Sequence, residues 1–478
     1  MTAKRASFTM KWAQIGTAFL PFADAATVDL PLSRLLRLSL FQISVGMAAV
    51  LLTGTLNRVM ILELHIPAWV VALMVSIPLL FAPFRALIGF KSDTHKSVLG
   101  WRRVPYIWFG TLMQFGGFAI LPFALMVMSG DSQWPTAFGV VGAALGFFFV
   151  GFGMHMTQTA GLALATDLAT EETRPRVVAL LYVMLLVGML IASMLFGALL
   201  ADFSGKRLIQ VIQGTAVLTM GLNLIALWKQ EARNTILTSP NTDHPTFTDT
   251  WRKFTAEPRT IRLLVAVGLG SAAFSMQDVL LEPYGGEVLG LSVGQTTGLT
   301  ALWAAGALAG FGYAASQLSK AADPHRLAAI GVVAGVIAFS LVIFSAPLQS
   351  VLMMRAGVTL IGLGSGIFSV SLLICAMALA REGDAGLALG AWGAVQASAN
   401  GLAALLGGAF RDIVGNLATT GSLGGTLNAP ATGYQFVYHL EIMLLFASLI
   451  ALGPLARRIA SDSTPSNASK FGLTEFPT

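Results

Sequence analysis

The chain has 478 residues, 55% hydrophobic and only 11% charged, with 29 Lys and Arg against 23 Asp and Glu. That charge fraction is about half the average for soluble domains, and with a mean hydropathy of +0.75 it excludes a disordered chain and an ordinary soluble enzyme. The single cysteine, Cys375, excludes an intrachain disulfide or cysteine metal cluster, and the basic residues behind the net charge of +6 sit in short loops, where they set membrane orientation rather than bind nucleic acid.

Residues 1–37 interleave Lys4, Arg5, Lys11, Arg34 and Arg37 with Phe8, Met10, Trp12, Ile15, Phe19, Leu20 and Phe22. There is no compact apolar stretch followed by a small-residue cleavage site, so this is not a signal peptide. The pattern predicts a helix lying in the headgroup layer, with a flexible tail as the alternative. Beyond it, apolar runs long enough to cross a hydrocarbon core of about 30 Å are predicted near 38–58, 67–89, 104–128, 136–165, 176–201, 208–228, 262–282, 295–318, 326–345, 349–379, 386–409 and 435–456. With the N-terminus cytoplasmic, the inside segments hold 23 Lys and Arg. The outside loops hold five, Arg58, Lys206, Arg207, Arg355 and Arg411, and Arg85 lies within the second span. This positive-inside bias places both termini in the cytoplasm.

The polar stretch from Lys229 to Arg262 divides the spans six plus six. The predicted organisation is a cytoplasmic amphipathic segment (1–37), an N-terminal six-helix bundle (38–228), a cytoplasmic linker (229–261), a C-terminal six-helix bundle (262–456) and a cytoplasmic tail (457–478). The halves echo each other weakly, Leu168-Ala169 matching Leu379-Ala380 and Ala201-Asp202 matching Arg411-Asp412. The fold class is therefore an all-α polytopic membrane protein of twelve transmembrane helices in two bundles, the parallel repeat of the major facilitator superfamily. Between spans two and three, Gly89 and Asp93 match that superfamily's Gly-x-x-x-Asp turn, and Arg102 and Arg103 follow after a longer gap as the basic part of a cytoplasmic gate motif. In the second half Ser316 stands where the Asp would be.

Three stretches are more specific: Pro83 to Gly110 (PFRALIGFKSDTHKSVLGWRRVPYIWFG), Ala165 to Gly188 (ATDLATEETRPRVVALLYVMLLVG) and Met276 to Gly286 (MQDVLLEPYGG). Together they resemble the PucC/LhaA family, the bacteriochlorophyll delivery branch of the major facilitators. The resemblance implies a factor for assembly of bacteriochlorophyll-binding light-harvesting antenna, core or peripheral, in the photosynthetic intracytoplasmic membrane of a bacterium. It also implies bacteriochlorophyll a or a precursor as the bound group. The implied partners are the antenna alpha and beta polypeptides, the reaction centre-core complex, pigment-synthesis enzymes and membrane lipids, with no nucleic acid.

An ionisable group at membrane depth costs at least ~2.5 kcal/mol by insertion scales, so it normally faces protein, water or ligand. Asp278 and Glu282 are predicted one turn apart on one face of span seven, beside Gln277. Asn57 and Arg58 end span one, its symmetry partner. The expectation is a charge cluster of Arg58, Asp278 and Glu282, read as an ion pair closing the outer gate, as a proton site, or as a contact to a partner or pigment. In span four, His155 can ligate the magnesium of a bacteriochlorophyll, with Gly151 leaving a recess for the macrocycle and Phe152 and Gln158 nearby. The alternative is a structural histidine bonded to a neighbouring span or to Gln158.

Asp167, Glu171, Glu172, Arg174 and Arg176 form either a solvated turn or a gate network with Asp93 and Arg102. Phe147, Phe148, Phe149, Phe152, Trp303, Phe311 and Trp392 either line a pigment route or simply pack. The glycines at 357, 362, 364, 366, 401, 407 and 408 predict close helix packing. No Walker loop, His-Glu-x-x-His, nucleophile elbow or cysteine pair occurs, so catalysis is not predicted. A proton-coupled solute transporter using Asp278 and Glu282, or a pigment-free assembly scaffold, are the competing readings.

Overall fold

The computed structural model describes residues 26–27, 30–80, 85, 88, 92, 95, 99–130, 132–170, 173–233, 256–320, 322–379, 385–424 and 427–459, and among them regular structure is helical. The expectations for the N-terminal amphipathic segment before residue 26, for Gly89 and Asp93, for Glu171 and Glu172, and for the side chains of Arg174 and Arg176 lie outside these residues or outside their described side chains. In chain order the helices are α1 (Leu32–Glu63), α2 (Ala68–Leu80), α3 (Val104–Met128), α4 (Thr136–Leu168), α5 (Arg174–Leu199) and α6 (Gly205–Leu227). The second half contains α7 (258–289, in pieces), α8 (Val293–Ser319), α9 (Pro324–Ser345), α10 (Val351–Leu379), α11 (Ala385–Thr419) and α12 (Ala431–Ile459). Ten of these segments are long and apolar enough to cross a membrane. The other two are α2, described over its first part, and α11, which Gln396, Asn400 and several glycines make less apolar. Helix α1 begins at Leu32 rather than 38, so Arg34 and Arg37 belong to its first turns.

Within the first half α1 packs on α4, α5 and α6, and α3 packs on α4 and α6; within the second, α7 packs on α11 and α12, and α10 on α8 and α9. The halves meet through α2 against α11 and α5 against α8. Exchanging the halves turns the first pair into the second, which is the signature of a parallel repeat. Without a hydrophobic drive between helices in lipid, close backbone approach supplies the packing energy. The α8–α10 seam shows this, because a Cβ on Gly306 would strike the Thr359 carbonyl and one on Gly362 would strike that of Trp303. Gly364, Gly366, Gly407 and Gly408 also face neighbouring backbone at close range. Polar caps close the helix starts: Ser292 and Gln295 form a reciprocal capping box on α8, and Asp323 accepts from the amide of His325 on α9.

Candidate functional site

The C-terminal half's first span is broken where its sequence demands it. In a continuous helix, Pro283 would have no N–H to give the Val279 carbonyl, and its ring would clash there. The chain instead runs as an α-helix Pro258–Ser275, a 3-10 turn Met276–Val279 and a second α-helix Leu281–Leu289 that carries Pro283 in its first turn. At membrane depth the freed backbone groups need other partners. Asn57 of α1 donates to the Val279 carbonyl at 2.8 Å, and the amide of Gln277 donates to Oε1 of Glu441 on α12 at 2.6 Å. Helix α1 is irregular at the matching level, with π-helical segments Val50–Leu56 and Val59–Glu63. The two symmetry-related spans are therefore both distorted where they meet, a frequent mark of function in helices.

The predicted cluster at this level assembles differently from the expectation. The 3-10 turn separates Asp278 from Glu282, so they do not share one continuous helical face: Asp278 accepts from Gln277 Nε2 at 2.6 Å, while Glu282 accepts from Thr300 at 2.6 Å and Thr297 at 3.4 Å, both on α8. Arg58 pairs with neither carboxylate. Its Nη1 is 2.7 Å from Glu63, and its Nη2 donates to the Leu291 carbonyl at 3.4 Å, so the expected ion pair across the halves is replaced by one within α1 and a backbone contact. The halves are joined instead by neutral and backbone bonds, including Thr55 to Thr297 at 3.3 Å, and by Glu282 lying against Gly54.

Toward the distal ends, away from the chain termini, Arg411 of α11 binds Glu287 of α7 and Asp412 at 2.5 and 2.8 Å. It also donates to Tyr434 of α12 at 3.1 Å and stacks over that ring. Asp412 in turn accepts from the Trp69 amide at the start of α2 at 2.8 Å, which carries the network across the halves.

A second polar group lies inside the first half. Arg85, beyond the end of α2, donates to Gln158 at 2.9 Å and to Thr159 at 3.1 Å on α4, and Gln158 reaches Gln42 of α1 at 3.4 Å. His155 is one turn before Thr159, is 8% exposed, and has neither ring nitrogen bonded among the described residues. The structural bond to Gln158 is therefore not formed. The magnesium-ligand geometry is not present either. Pro78 of α2 occupies the space beside Gly151, where the macrocycle was expected, and both imidazole nitrogens are enclosed. Imidazole has the right donor chemistry, but this packing gives a bacteriochlorophyll no room at His155. Phe152 stacks on Phe148 at 5.7 Å between ring centroids, as packing rather than as the wall of a recess.

On the terminal face, Arg103 is 4% exposed and bonds Asp167 at 3.1 Å and Ser92, while Arg102 reaches Asp167 at 3.4 Å. Glu231, just past α6, accepts from the amides of Arg102, Arg103 and Val104 and so neutralises the positive end of α3. Gln230 clasps Arg34 at the start of α1. These contacts tie the linker to the first half.

The sequence pattern of the family described as PUCC protein matches residues 55–460. The chain belongs to the PucC family. This PucC-family chain is 55% identical over 469 residues to an uncharacterized protein in the puhA-bchM intergenic region of Rhodobacter capsulatus, covering 97% of this chain and 98% of the other. It is 56% identical over 408 residues to Protein PucC of Rhodovulum sulfidophilum, covering 84% and 90%. Among solved structures it resembles a bacterial homolog of the human lysosomal transporter Spinster in an inward-facing, occupied conformation, with a TM-score of 0.67 and 15% identity over 91% of this chain and 98% of that one. At that identity the likeness concerns the fold, which is the two-bundle fold of the major facilitators.

Glu441, Glu287, Arg411 and Tyr434 were not singled out as site residues from the sequence. Glu441 carries the same signal that marked Glu282, an ionisable group inside an apolar span. Pro283 carries the signal for the break.

Proposed function

We propose that this PucC-family membrane protein is a non-enzymatic assembly factor for bacteriochlorophyll-binding light-harvesting complexes. It acts on antenna alpha and beta polypeptides in the photosynthetic inner membrane with both termini cytoplasmic, and its cargo is bacteriochlorophyll or a precursor. The observation that carries this reading is the family match across residues 55–460, which takes in the end of α1 and every later helix. The near end-to-end similarity to a protein of the puhA-bchM intergenic region agrees with it. The reaction centre-core complex and pigment-synthesis enzymes are further proposed partners.

The geometry supports handling of a greasy cargo from the lipid side. Large apolar side chains are exposed along α3 and α4, among them Phe109, Phe123, Phe138 and Leu145, while the interior polar groups are bonded to one another or enclosed. The enclosed His155 gives no support to pigment ligation through that residue in this packing. The test is deletion of the gene from a photosynthetic host followed by restoration of the wild-type chain, with membrane absorbance reporting core and peripheral antenna. Loss of at least one antenna type and its recovery on restoration is expected. Full levels of both in the deleted strain contradict the reading.

A further inference from the structure

The break in α7 gathers buried polar atoms that nothing in the described chain satisfies. Oε2 of Glu441, Oε1 of Gln277, Oδ1 of Asn57 and the hydroxyl of Tyr438 lack hydrogen-bond partners among the described residues. Their residues are 0%, 2%, 0% and 0% exposed, respectively. Three of these atoms can only accept. Flipping the amides does not help, because Gln277 Nε2 already donates to Asp278 and to the Phe274 carbonyl, and Asn57 Nδ2 to the carbonyls of Thr53 and Val279.

Glu441 and Gln277 meet at this turn, and Asn57 reaches the same turn from α1. Glu441 Oε1 is 2.6 Å from the Gln277 amide, and Asn57 is 2.8 Å from the carbonyl two residues further on. Against three buried acceptors there is one unused donor, the Tyr438 hydroxyl, and such a deficit of donors is unfavourable until a positive charge or a proton joins it. The charged and titratable groups around Glu441 do not supply that charge. Asp278 on α7 is a further carboxylate, and Tyr284 on α7 packs edge-on against the neutral ring of Tyr438. Arg411 on α11 is engaged by Glu287, Asp412 and Tyr434, and Arg58 on α1 by Glu63. From α9, which also packs on α12, the groups at this level are the Val342 carbonyl and the hydroxyl of Ser345, both bonded to Tyr284.

We infer that the break in α7, with Glu441, Gln277 and Asp278, is a binding site for one monovalent cation, H+ or Na+. The Glu441 and Asp278 carboxylates beside the Gln277 amide oxygen leave uncompensated negative charge, which one proton or sodium ion reduces. Unwound membrane helices offer this kind of oxygen set to H+ and Na+. As a proton site, Glu441 Oε2 carries the hydrogen and donates it to an amide oxygen; as a sodium site, the same oxygens are ligands. Span twelve bonds the Gln277 amide here and span one the Val279 carbonyl of the same turn, so occupancy stabilises the distorted region of both halves. The inference does not depend on the assembly role.

The test uses the full chain purified in mild detergent. Thermal unfolding is followed with sodium chloride against choline chloride at equal ionic strength, and the carboxyl region of the infrared spectrum is recorded at neutral pH. A sodium site gives a saturable rise in Tm with sodium that Glu441→Gln abolishes. A proton site gives no sodium effect but a neutral-carboxyl stretch that is absent from Glu441→Gln. If that variant does not fold, Gln277→Met serves in its place: it moves the carboxyl stretch, or weakens sodium binding by about tenfold or more. The inference is overturned by wild-type protein with neither a sodium response nor a neutral-carboxyl band, or by variants that behave as wild type; either result would mean that water alone satisfies these oxygens.

Discussion

In the first half, Gln42 of α1, Arg85 and Gln158 of α4 are linked by bonds from side chain to side chain. At the distal junction, Asn57 and Glu441 reach instead from α1 and α12 to the backbone of a broken α7. The first arrangement lies within one bundle and moves with it. The second holds a backbone that has lost its own hydrogen bonds, and through Thr55, Thr297, Trp69 and Asp412 it is continuous with the contact between bundles. A side chain lost from the first group removes only bonds between side chains, whereas one lost from the second also strands a backbone group in a medium with no water to replace it.

The largest expected effect follows from cutting the distal network at its hub. Arg411→Ala leaves Glu287 and Asp412 without their cation and lowers stability by about 3 kcal/mol, the low end for a broken buried pair, because these carboxylates are partly exposed. Thermal unfolding in detergent reports it, and Arg411→Lys recovers only part of the loss because a point charge cannot repeat the forked contacts. Next, Asn57→Leu strands the Val279 carbonyl at a cost of about 2 kcal/mol. Gln158→Leu in the first half is the matched comparison: Arg85 keeps Thr159, and the loss is about 1 kcal/mol. Equal losses in these two variants would break the distinction between the regions.

Arg58→Gln is milder. Its partner Glu63 is 41% exposed, so the pair contributes at most about 1 kcal/mol. The change is expected to shrink at high salt in unfolding measurements, since exposed charge is screened. Smallest of all is His155→Leu, which removes two buried, unbonded nitrogens and is expected to shift stability by less than about 1 kcal/mol. Antenna absorbance in cells carrying it is expected to match wild type. A clear drop would restore the pigment-ligand role that Pro78 argues against.

The architecture was legible because apolar length, loop charge and the polar stretch after α6 are local properties of the sequence. The depth of the distal group was legible for the same reason: Asp278 and Glu282 stand out in an apolar span. Their partners were not legible, because the i, i+4 rule assumes an unbroken helix, and Pro283 ends that assumption five residues after Asp278. The recess at Gly151 failed for a different reason. A glycine announces only that something comes close, and here the neighbour is Pro78 of α2, which no spacing within α4 could disclose. Arg58 likewise looked across the membrane to α7 when a carboxylate five residues away in its own chain was within reach.

We propose that this two-bundle, PucC-family protein handles bacteriochlorophyll and antenna polypeptides rather than a water-soluble substrate. The most direct measurement is the absorbance and polypeptide content of the full chain isolated in mild detergent from membranes that are making antenna. Bacteriochlorophyll or a precursor is expected to be retained together with alpha or beta polypeptides. Isolation of the folded chain with neither, accompanied by uptake of a small solute by vesicles that contain it, would contradict the claim.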